Sequence, residues 1–196
     1  PWLTIGVVTS FAFLFHFFAQ GPVIPSLNNI QPINTGAGKL LSASSSGVNQ
    51  PLAYVRSTDK NQQLIWQQWA SQKEQILLEK KRFYGALNFS SDNTKLYFSE
   101  LEFTGDSKCA SLFSYDLNKH NTTPLLKCQN NFIHSGIDIS DSQLMYLDTQ
   151  KNGSSQIKIF SFDKSKTIAT QSQSITNFAW HTESKQLAYV DNNHLL

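Results

Sequence analysis

The groups in this chain that could ligate a metal, move a proton or attack a carbonyl are two cysteines, five histidines and fourteen carboxylates. Their spacing argues against most of that chemistry. His120 falls in a polar turn, and His134 and His181 fall near strand starts, so each reads as a surface or packed residue rather than a ligand. No Cys-x-x-Cys or Cys/His cluster occurs, and no GxSxG, HExxH, phosphate-binding loop or dinucleotide fingerprint. The acidic residues are spread along turns without a catalytic pairing. The expectation is a stretch with no catalytic residue, no metal site and no cofactor, and no enzyme activity of its own.

One pair remains. Cys109 and Cys128 are equidistant from a turn centred between Asn118 and Lys119. If the flanking segments pair as a hairpin, the two side chains face each other at bridging distance. In an oxidising compartment they form a disulfide; two buried thiols are the alternative. A loop of about 20 residues closed in this way contributes roughly 3 kcal/mol in the chain-entropy account.

Other candidates are weaker. In "WQQW", Trp66 and Trp69 are expected on opposite faces of a strand, one packed and the other available to a recognition surface. The basic cluster Glu79–Arg82 reads as solvated rather than as a nucleic-acid contact. Asn88, Asn121 and Asn152 begin glycosylation sequons, which matter only in a eukaryotic secretory pathway.

The elements that position these groups repeat. Four apolar runs, "LAYV" from Leu52, "LYF" from Leu96, "LMYL" from Leu144 and "LAYV" from Leu187, recur every ~45 residues. Before each lies an apolar stretch and a polar turn; after the first three lies a second alternating strand, a turn and another strand. Alternation with period two and Asn/Asp/Ser/Gly turns indicate strands. Each unit therefore reads as two hairpins, or four short strands, the dimensions of one β-propeller blade. The predicted units lie near 40–82, 83–130, 131–174 and 175–196, the last incomplete.

The stretch "NFSSDNTKLYFS" from Asn88 resembles the signature of the TolB-type, WD40-like propeller repeat, with Ser91 and Asp92 in its turn. Asp141 occupies the corresponding turn of the third unit, in shortened form, and Glu183 replaces the aspartate in the last. The first unit lacks the acid. Asn93 stands where the repeat usually carries glycine and also tolerates a left-handed backbone. "LFSYDLNKHNTTPLL" resembles the second hairpin of the same repeat. The resemblance covers residues 40–196 and implies an all-β fold, a partial β-propeller of about three four-stranded blades and part of a fourth. Closed propellers have about 4 to 8 blades, so further blades are expected outside this sequence.

The first twenty residues differ in kind. From Trp2 to Ala19 about 18 largely apolar positions contain no Asp, Glu, Lys or Arg. Residues 1–20 read as a transmembrane anchor, with Trp2 at an interface and His16 near the outer end; a signal peptide or a buried core helix are the alternatives. Residues 21–39 form a Pro/Gly/Asn-rich spacer. The first basic residue past the run is Lys39, which places the body of the chain on the non-cytoplasmic side. The expected setting is a single pass through the inner membrane with the propeller in the periplasm.

That arrangement resembles the ToxR/CadC-type membrane-bound regulators, in which a cytoplasmic winged-helix DNA-binding domain precedes one span and a periplasmic sensory domain. The resemblance implies a propeller that binds a protein or small-molecule signal, with no nucleic-acid contact by this chain. A membrane-anchored peptidase of the dipeptidyl-peptidase or prolyl-oligopeptidase type, its serine nucleophile lying downstream, is the enzyme alternative. A TolB-like envelope scaffold is the third.

Overall fold

The computed structural model describes residues 38–81, 84–104, 107–140, 143–161, 170–173, 175–181 and 184–191. All of them belong to one compact unit, Thr35–Leu196. The expected membrane anchor, residues 1–20, and most of the spacer lie outside the described residues. Every regular element among the described residues is a β-strand.

The strands follow the repeat. β1 (Lys39–Ser45), β2 (Leu52–Ser57), β3 (Gln62–Gln67) and β4 (Glu74–Lys80) form a four-stranded antiparallel meander in chain order. β5 (Tyr84–Phe89), β6 (Lys95–Thr104), β7 (Ser107–Asp116) and β8 (Asn121–Leu126) form the next. β9 (Asn131–Ser140), β10 (Gln143–Gln150), β11 (Ser155–Ser161) and β12 (Thr170–Gln173) form the third. A single parallel bridge, Ala110 to Phe132, joins the second and third meanders. β13 (Ile175–His181) and β14 (Gln186–Asp191) make a final hairpin.

The apolar runs of β2, β6 and β10 are continuous because these strands are buried on both faces. Along β6, Leu96 and Phe98 turn towards the first meander and pack with Ala53, Val55 and Leu64, while Tyr97 turns the other way to meet Leu144 and Tyr146 of the third. Along β10, Met145 and Leu147 turn onwards to meet Ile175 and Phe178 of the final hairpin. Phe98 stacks on Phe113 and meets Tyr84 edge-on, each with ring centroids 5.7 Å apart, arrangements that add to area burial. The core is thus a series of layers between meanders. Each fully buried Leu or Phe in such a layer contributes about 1.5–3 kcal/mol.

The turns close by local side-chain chemistry. After β5, Ser90 Oγ donates to Asp92 Oδ1 at 2.7 Å, and Asp92 accepts the Thr94 amide at 3.1 Å. Asn93 has φ 58°, the left-handed conformation expected of it. In the β7–β8 turn Asp116 Oδ1 accepts the amides of Asn118 and Lys119, at 3.0 and 2.9 Å. One sequence reading is corrected here. Trp69 does not sit on a strand opposite Trp66. The Gln68 amide donates to the Lys73 carbonyl and the Gln72 amide to the Gln68 carbonyl, so the chain leaves β3 before Trp69, which lies in the turn.

Candidate functional site

A cleft of about 410 Å³ opens between the second and third meanders. Its walls are Tyr84, Gly85 and Ala86 from the start of β5, Ser99 and Leu101 from β6, Ala110 from β7, Phe132 and His134 from β9, and Thr149 from β10. Two irregularities shape it. The β5–β6 pairing slips between Tyr84 and Leu87, which releases Gly85 and Ala86 from regular register. Gly85 is pressed so closely on Ser99 that a Cβ there would stand 2.2 Å from Ser99 Oγ. The β9–β10 pairing slips between Met145 and Leu147. Opposite the slip, Ser135 is buried and has φ 56°, a strained value for a residue with a side chain. Bulges of this kind re-aim side chains and occur beside functional sites.

Here the re-aimed side chain is His134. Its Nδ1 lies 3.2 Å from Ser135 Oγ and its Nε2 lies 3.3 Å from Thr149 Oγ1, which in turn meets Ser155 Oγ at 3.0 Å. Burial holds the imidazole below its usual pKa, against a smaller opposing pull from Asp148. The ring is therefore neutral at pH 7 and fixed by hydroxyls.

Two buried carboxylates lie beside the cleft. Glu100 sits between Ser99 and Leu101 and so points to the opposite face of β6. Lys80 Nζ, reaching across from β4, donates to its Oε2 at 3.0 Å. Asp148 Oδ1 accepts Asn131 Nδ2 at 2.6 Å and Gln150 Nε2 at 3.0 Å, while Lys158 donates to Oδ2. Both acids are engaged in holding strands together. Lys80 is thus more than a solvated member of the Glu79–Arg82 cluster.

The sequence-selected residues lie elsewhere. Cys109 and Cys128 are joined by a disulfide, with Cα atoms 5.8 Å apart. The β7–β8 register slips by one residue at Leu112, and the Cys128 amide, just past β8, donates to Ser111 Oγ at 3.0 Å. The bond tethers the connector into β9, and Ala110, next to Cys109, lines the cleft. Ser91 and Asp92 occupy the turn after β5, whereas the cleft is at that strand's beginning. Ser91 contributes to packing between meanders: its amide donates to Asp138 Oδ2 of β9 at 3.0 Å. The Ser90 hydroxyl, then the Thr94 amide and hydroxyl, hold the Asp92 carboxyl below its usual range. Asp141 and Glu183 lie outside the described residues. His181 ends β13 rather than beginning a strand, and its Nδ1 meets Ser184 Oγ at 2.8 Å. Sequence reasoning missed the cleft because its small, hydroxyl and apolar residues and its one histidine come from five strands of two repeats and form no local motif.

No family model and no curated protein matches the sequence. Solved structures do match in fold. TolB from Acinetobacter baumannii is 16% identical with a TM-score of 0.66, over 80% of this chain and 39% of that one. The dipeptidyl peptidase 4 of Porphyromonas gingivalis is 14% identical with a TM-score of 0.58, over 82% of this chain and 30% of that one. The β-propeller domain of the Trilobed protease from Pyrococcus furiosus is 15% identical with a TM-score of 0.55, over 78% of this chain and 48% of that one. The chain therefore spans less than half the length of each. At these identities the likeness shows the fold: the meanders are blades of a β-propeller of the kind found in TolB and in peptidase propeller domains.

Proposed function

We propose that this chain is a non-catalytic recognition module, a propeller outside the cytoplasm that binds a protein or small-molecule signal. The observation that carries the reading is the cleft itself. Its lining is uncharged, its histidine is neutral and held by hydroxyls, and the buried carboxylates beside it are engaged by Lys80 and Lys158. Such a site suits binding rather than bond-making, which needs an acid, base or nucleophile open to substrate. The disulfide fits an oxidising compartment, and the uncharged run Trp2–Ala19 fits an inner-membrane anchor.

In its finer form the proposal is a sensory domain of a ToxR/CadC-type membrane-bound transcriptional regulator. Signal binding would change the association or orientation of the anchors and so act on a cytoplasmic DNA-binding domain. The peptidase-type neighbours favour a second reading, the propeller of a membrane-anchored serine peptidase, and the TolB likeness favours an envelope scaffold. The reading frame on both sides of this sequence tests all three. A winged-helix domain before Pro1 supports the regulator. A GxSxG-bearing hydrolase domain after Leu196 overturns it in favour of the peptidase, and neither domain leaves the scaffold. Location is tested separately: thiol labelling in cells should find Cys109 and Cys128 oxidised only when the chain is exported.

A further inference from the structure

The geometry of the cleft points to a neutral, largely apolar small molecule, carrying a ring and one hydrogen-bonding group, as what it binds; this we infer on the reading that the chain is a recognition module. Size comes first. About 410 Å³ falls in the range of small-molecule pockets. The space exists because Ala86 and Ala110 are small, where larger side chains would fill it. Tyr84 and Phe132 flank that space with rings, and Leu101 adds an aliphatic wall.

Charge comes second. None of the lining residues is charged at neutral pH, since burial keeps His134 neutral. An anion would lack a cation: Lys80 is bound to Glu100 on the far face of β6. A cation would lack an open carboxylate, because Asp148 already accepts from Asn131, Gln150 and Lys158. Leaving an ion unpaired in such a site is costly. Hydrogen bonding comes third. The Thr149 hydroxyl, held by His134 Nε2 and Ser155 Oγ, and the Ser99 hydroxyl line the cleft, and a hydroxyl can both donate to and accept from a neutral hydroxyl or amine. The two bulges fix these groups before any ligand arrives.

The test is a fluorescence titration of the oxidised chain with N-phenyl-1-naphthylamine, a neutral ring amine. Saturable binding at one site is expected. Ala86→Phe, which fills the space, should weaken it at least tenfold, and the anionic 8-anilinonaphthalene-1-sulfonate should not compete. Unchanged binding in Ala86→Phe, or equal affinity for the sulfonate at the same site, overturns the proposal. A second measurement does not depend on a folded variant: with 1-naphthol, methyl resonances of Ala86, Ala110 and Leu101 should shift before others, and shifts confined elsewhere overturn it. A flat titration sinks the ligand class; the choice between regulator, peptidase and scaffold is decided by the reading frames on either side of this sequence, whose outcome does not depend on the titration.

Discussion

His134 shows how one residue makes the propeller sensitive to acid. Its folded-state pKa is held below the free value of 6.5 by burial. The unfolded chain therefore takes up the proton first as pH falls, so this contribution is intact above about 6.5 and is lost as pH drops from there towards the folded pKa. A thermal-melt series from pH 7.5 to 5 should show that loss, and His134→Gln should flatten it across the same window. Gly85 makes a steric prediction. A Cβ at 2.2 Å from Ser99 Oγ forces movement, so Gly85→Ala should cost about 1–3 kcal/mol by overpacking. Adding Ser99→Gly should recover part of it in urea unfolding; no recovery would mean that backbone strain, not the hydroxyl, is the cause.

At the scale of elements, two side-chain ties join separate segments. The disulfide joins β7 to the connector after β8, and replacing both cysteines by alanine should lower stability by roughly 2–4 kcal/mol. Comparing melts of the double variant with those of the reduced wild-type chain checks this, since the two should coincide. The second tie is Lys80 on β4 to Glu100 on β6. Glu100 is 0% exposed and the Lys80 side chain 41% exposed, so the lysine is partly screened by solvent while the acid is not. Lys80→Met should cost about 1–3 kcal/mol by removing the cation paired with the buried carboxylate, and Glu100→Gln in that background should restore part. Neither tie was legible in the same degree. The disulfide followed from equal distances to a turn. The ion pair did not, because a lysine four strands into the chain and a glutamate in the next repeat carry no local sign of meeting.

Across the whole molecule, stability resides in layers shared by adjacent blades. Leu144 is fully buried between the second and third blades with Tyr97 and Leu112. Leu144→Ala should cost about 2–5 kcal/mol. In a stacked architecture the loss is felt by both neighbours, so hydrogen exchange should accelerate in β6 and β7 as well as in β9 and β10. Acceleration confined to the third blade would contradict a shared layer.

The sequence by itself determined most of the strands, their grouping by an interval of ~45 residues, the turn chemistry of Asp92 and Asn93, and the pairing of Cys109 with Cys128. Each of these rests on contacts between residues close in the chain, where period-two alternation and side-chain-to-backbone bonds leave a local pattern. Only the tertiary structure decided the rest. The burial of Glu100, the hold of Asp138 on the Ser91 amide, and the cleft of Gly85, His134 and Thr149 each join different repeats or different strands across a bulge. A bulge shifts register by one residue and turns a side chain to another face, and no composition or spacing announces where that shift will fall.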